Sequence, residues 1–128
     1  ANAAPLPDAS LATYRILEKR VADNNPGWSI VIIPPPAALP RILFTGDADT
    51  VTGAAREAVL TSAWAAKRWN QRALAVPGLI DTAPENPNLA QRRALAIAKM
   101  LRQEGISPFP APAKGASFRL GQSLSPVE

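Results

Sequence analysis

Val76-Pro77-Gly78-Leu79-Ile80-Asp81, followed after a short loop by Asn86-Pro87-Asn88-Leu89-Ala90-Gln91-Arg92-Arg93-Ala94, is the stretch on which the fold turns. Arg72-Ala73-Leu74-Ala75-Val76 reads as a short strand that Pro77-Gly78 closes. Pro87 at a first turn, with Asn86 or Asn88 as cap, opens a helix. That helix runs from about Asn88 to Glu104, buries Leu89, Ile97, Met100 and Leu101, and stops at Gly105. A strand feeding a helix through a tight loop is the repeating unit of an α/β layer structure.

Working outward, the same alternation recurs upstream. Leu11, Tyr14, Leu17 and Val21 recur at helical spacing between Ser10 and Val21, with Asp8 or Ser10 available as cap. Asn24-Asn25-Pro26-Gly27 signals a turn, and the β-branched run Trp28 to Ile33 predicts a strand. Pro34, Pro35 and Pro36 interrupt it, and Arg41-Ile42-Leu43-Phe44 predicts a second strand. A helix is expected from about Val51 to Trp69, with Val51, Ala55, Val59, Ser62, Ala66 and Trp69 on its buried stripe. Downstream of Gly105 the chain is rich in Pro and Gly, with one further strand candidate around Ser117 to Leu120. These expectations amount to an α/β (α+β) two-layer sandwich: a lead-in at 1–9, a domain at 10–107 and a C-terminal extension at 108–128.

Composition excludes several chemistries. The 128 residues contain no His and no Cys, so imidazole- and thiolate-based nucleophiles, metal sites and disulfides are ruled out. No cofactor and no catalytic constellation is expected. Asp47-Ala48-Asp49-Thr50 after an apolar strand has the look of a phosphoryl-transfer site, but holding Mg²⁺ there needs further acids, and Asp81 is the only later aspartate. Capping of the helix near Val51 is the favoured reading of those two aspartates. The net charge of +4 favours anionic neighbours without choosing among them. Arg92, Arg93, Lys99 and Arg102 lack any accompanying nucleic-acid motif, so no nucleic-acid partner is expected. The start at Ala1-Asn2-Ala3-Ala4, without Met, suits an exported protein whose leader has been removed, and a lipid anchor upstream would fit the same setting.

Asp81 after a strand end and Arg93 in the first turns of the next helix lie at one edge of a strand–loop–helix unit. A crevice holding both suits a zwitterion: Arg93 offers a two-pronged donor to a carboxylate, and Asp81 accepts from an ammonium. The plainer reading makes Asp81 a loop residue bonding local backbone and Arg93 one more solvated arginine.

The two blocks resemble the OmpA-like family, in which Gly-His-Thr-Asp ends a strand and Asn-x-x-Leu-Ser-x-x-Arg-Ala begins a helix. Gly78-Leu79-Ile80-Asp81 is similar to the first, and Asn86 through Ala94 to the second. The likeness runs from Ile42-Leu43-Phe44 through Ile97, Met100 and Leu101 to Gly105-Ile106, so about residues 40–107 are covered. Leu79 and Ile80 stand where the family has His and Thr, and Ala90 where it has Ser. The resemblance implies a βαβαβ core, here with an extra N-terminal helix and Pro-rich tails. It also implies a periplasmic, outer-membrane-associated module in a Gram-negative envelope that binds the diaminopimelate stem of peptidoglycan. Asp81 would take the ligand's ammonium, Arg93 its carboxylate, and Asn86 would shape the loop. The alternative it leaves open is an OmpA-like docking module in a secretion or pilus assembly, without cell-wall binding.

Overall fold

A computed structural model of the chain describes residues 8–34, 39–80, 82, 85–113, 115 and 117–122. Among the described residues three helices and five short strands follow one another. They are α1 (Asp8–Asn24), β1 (Arg41–Leu43), α2 (Gly53–Arg68), β2 (Ala73–Pro77), α3 (Leu89–Gln103), β3 (Ser107–Ala111), β4 (Ser117–Arg119) and β5 (Gly121–Gln122). The domain is thus mixed α+β, with its strands in two small sheets. One pairs β1 with β4 antiparallel, Ile42 opposite Phe118. The other has the order β3-β2-β5: β3 runs parallel to β2, with Ala75 opposite Phe109, and β5 runs antiparallel, with Ala75 opposite Gly121. The stretch 117–122 therefore joins the sheets, since its first half pairs with β1 and its second half with β2.

α2 is the middle of the domain because small residues let it be approached from several sides. Ala55, Ala58, Val59, Thr61, Ser62, Ala63, Ala65 and Ala66 are all buried along it. It touches β1, α1 and α3, and α3 in turn packs on β2 and β3. One core runs through Leu11, Ile42, Phe44, Val59, Leu74, Val76, Ile97, Leu101, Ile106 and Phe118. Among the described residues no helix is long and apolar enough to cross a membrane.

α3 has the best-defined ends. Asn88 is its cap: the side chain accepts from the Gln91 N–H at 2.9 Å, and the Gln91 side chain accepts from the Asn88 N–H at 2.9 Å. At the other end Gly105 (φ 82°) turns the chain, with Ile106 N–H reaching Leu101 C=O and Gly105 N–H reaching Arg102 C=O. This paired closure needs a residue in the left-handed region, which glycine adopts at no steric cost.

Four expectations are corrected. Trp28 to Ile33 pairs with no strand among the described residues, although its composition is that of a strand. β2 pairs in parallel with β3, a strand in the Pro-rich stretch after Gly105 that carries Pro108 and Pro110. The prolines fit because β3 lies at the sheet edge: Ser107 N–H donates to Arg72 C=O, Gly78 N–H donates to Ala111 C=O, and the alternate positions 108 and 110 turn to the open edge, where no N–H is needed. The stretches 108–111 and 117–122 are consequently part of the domain, contributing to β3, β4 and β5, rather than an extension beyond it. Leu17, expected on the buried stripe of α1, is 44% exposed, and Glu18 takes the inward place beside Leu11 and Tyr14. Finally, the aspartates before α2 do not cap it, for Thr52 occupies the cap position without a side-chain bond, and Asp49 binds Arg92 instead.

Candidate functional site

The C-terminal ends of β2 and β3 and the start of α3 enclose a cleft of about 210 Å³, lined by Gly78, Leu79, Ile80, Asn88, Gln91 and Ala111 among others. It lies where the strand–loop–helix reading places a crevice. Gly78 makes the close packing there: its φ is 91°, and a Cβ on it would sit 3.0 Å from the Ala90 carbonyl oxygen. The turn and the approach of α3 to the strand end both require the absence of a side chain.

The three residues expected to form the ligand site fare differently. Asp81 lies outside the described residues. Asn86 is exposed in a bend and does not line the cleft. Arg93 is 6% exposed and also does not line the cleft. Its guanidinium reaches the turn that follows β1, where Nε–H donates to the Ala48 carbonyl at 2.7 Å and Nη2–H to the Gly46 carbonyl at 2.8 Å. Its carbon lies 4.8 Å from the centroid of the Phe44 ring. One prong pair of the guanidinium, the geometry suited to a bidentate carboxylate, thus grips two backbone carbonyls.

The neighbouring Arg92 serves the same turn. Its Nε–H donates to Asp49 Oδ2 at 2.9 Å, and its Nη1–H donates to the Pro87 carbonyl at 2.9 Å. Two successive arginines in the first turns of α3 therefore clasp the β1–α2 connection. Arg92 does so on the exposed side and Arg93 from within. The sequence signal for this clasp was present but ambiguous. Adjacent arginines at 92 and 93 face different directions on a helix, and only the fold brings residues 44–49 beneath them.

A second polar cluster, absent from the sequence reading, surrounds Glu18. Its carboxylate accepts from Arg68 Nη2–H, from the Ile32 backbone N–H and, at 3.2 Å, from Trp64 Nε1–H. Burial works to raise the Glu18 pKa. The hydrogen bonds from Arg68, Ile32 and Trp64, with the charge of Arg68, outweigh it and hold the carboxyl below its ordinary value. Arg68 also stacks on Trp64, 5.6 Å from the ring centroid. This cluster joins α1, α2 and the 28–34 segment, so its role is structural.

Among the described residues no three acidic side chains gather where a metal ion could be held. No protein-family model, no curated protein and no solved structure significantly matches the chain.

Proposed function

We propose that this chain is a non-catalytic, OmpA-like module of a Gram-negative envelope whose work is protein–protein docking in a trans-envelope assembly such as a secretion or pilus machine. The order β1-α2-β2-α3-β3 along the chain supports the family reading, since it is the order of the βαβαβ core that the sequence resemblance implies, although β1 pairs with β4 in a sheet of its own. The docking reading rests on Arg93. A guanidinium that binds a ligand carboxylate must present open donors, whereas Arg93 is buried with Nε and Nη2 bonded to Gly46 and Ala48. Freeing it would break two charge-assisted hydrogen bonds, each worth about 1.5–3 kcal/mol where water is excluded and less at this part-exposed turn. A periplasmic, outer-membrane-associated location belongs to the same proposal.

The second reading is peptidoglycan binding through Asp81, Arg93 and Asn86. The cleft at the β2 end, with its tight Gly78 turn and the start of α3, favours it. A pull-down on purified peptidoglycan separates the two. The docking reading expects the protein in the supernatant. Sedimentation with the polymer, abolished by Asp81→Ala while the thermal melt is unchanged, would replace docking with wall anchoring.

A further inference from the structure

Trp28–Pro34 holds strand-forming residues that pair with no strand among the described residues. From Ser29 to Pro34 burial alternates with period two. Ile30 and Ile32 are half-buried and Pro34 is buried, while Ser29, Val31 and Ile33 are exposed. Trp28, Val31 and Ile33 are 66%, 61% and 67% exposed, which is unusual for side chains so apolar. One flank of the segment is pinned to the domain: the Ile32 N–H donates to Glu18, and Trp69 Nε1–H donates to the Pro34 carbonyl at 2.8 Å.

In a strand-like path, backbone groups of successive residues point to opposite edges. The bond from Ile32 to α1 therefore turns the N–H and C=O groups of Ser29, Val31 and Ile33 to the other edge. No hydrogen bond within the chain reaches those groups among the described residues. An open edge with apolar side chains beside it is a template for strand addition.

We infer that this edge pairs with the same edge of a second copy of the chain, antiparallel, about a two-fold axis at Val31. Charge favours that occupant. The protein carries +4 overall, so net charge opposes self-association, yet no charged residue occurs between Asp23 and Arg41. Symmetry fits as well: Val31 faces Val31, and Ser29 faces Ile33 of the other copy, with up to about six backbone hydrogen bonds across the pair. Pro35 has no N–H with which to lengthen the ladder, so the register is short and bounded.

The side chains of Trp28, Val31 and Ile33 together offer on the order of 400 Å² per copy, about half the ~800 Å² that each partner contributes to a standard interface. The dimer is accordingly a weak one, formed at high local concentration. It rests on the docking reading above in naming one partner of the module as the module itself.

Sedimentation velocity of the full chain, from about 10 µM to about 1 mM, tests it in the range where so small an interface associates. The wild type shifts from monomer to dimer with concentration. Val31→Lys and Val31→Glu each stay monomeric, because like charges meet at the axis, and an equimolar mixture of the two restores the dimer. Both variants keep the wild-type melting temperature, since Val31 is exposed. A wild type that stays monomeric throughout, or single variants that dimerise as it does, overturns the inference, and a mixture that stays monomeric overturns the antiparallel register. Peptidoglycan sedimentation that depends on Asp81 would remove the docking reading and leave these results as they are.

Discussion

The Arg93 guanidinium carbon stands 4.8 Å from the centre of the Phe44 ring while two of its nitrogens hold the Gly46 and Ala48 carbonyls. A cation on an aromatic face and two charge-assisted hydrogen bonds, reaching from the buried Arg93 to carbonyls of an exposed turn, tie α3 to the turn after β1. The residue expected to meet a ligand instead meets its own chain.

Arg93→Ala should therefore destabilise the fold by about 2–4 kcal/mol, from the lost charge-assisted bonds, the lost contact with the Phe44 ring and the buried space left behind. A thermal melt would fall by roughly 10 °C or more. Arg93→Lys should recover only part of this, because an ammonium cannot serve both carbonyls in one plane. A melting temperature unchanged by Arg93→Ala would mean the clasp contributes little and the guanidinium is available for other work.

The Glu18 cluster predicts an acid-sensitive α1. The folded-state pKa lies below the ordinary 4.5, so its contribution is fully present above about that pH and is lost as pH falls through the folded value. Glu18→Gln should flatten the stability profile below pH 4.5 relative to the wild type. Glu18→Ala should cost on the order of 3 kcal/mol at neutral pH by leaving Arg68 half-buried and unpaired. Urea denaturation across a pH series reads both effects, and parallel wild-type and Glu18→Gln profiles would contradict the assignment.

Gly78→Ala should be costly for two reasons at one position. The backbone φ of 91° disfavours any side chain, and the new Cβ would lie 3.0 Å from the Ala90 carbonyl oxygen. A loss of about 1–3 kcal/mol in chemical denaturation is expected. Gly27→Ala, at φ 94° but with nothing within 4 Å, isolates the conformational part and should cost less.

Pro108 and Pro110 guard the outer edge of β3. Replacing both with Val gives that edge two N–H donors and better strand formers, so the double variant should aggregate faster on heating. Light scattering during a thermal ramp measures this. Equal aggregation of wild type and variant would show that the edge is not an exposed template.

Local chemistry made much of the domain legible in advance. The Asn88 cap, the Gly105 stop and the apolar spacing of Ile97 and Leu101 fix α3 within a residue or two, because capping and helical periodicity act over a few neighbours. Small residues from Gly53 onward mark α2 as a helix that others approach closely. What no local pattern carries is which groups meet across the chain. Trp28 to Ile33 has strand composition, yet β2 pairs with a proline-bearing segment, because pairing depends on which edge the α3 return reaches. At a strand–loop–helix edge Arg93 reads as a donor to a ligand carboxylate, yet its contact with Gly46, 47 residues away in sequence, makes it a clasp. Helix ends and faces are short-range properties of the chain. The partner of a buried charge or of a strand edge is set only when distant segments pack, and that decision belonged to the tertiary structure.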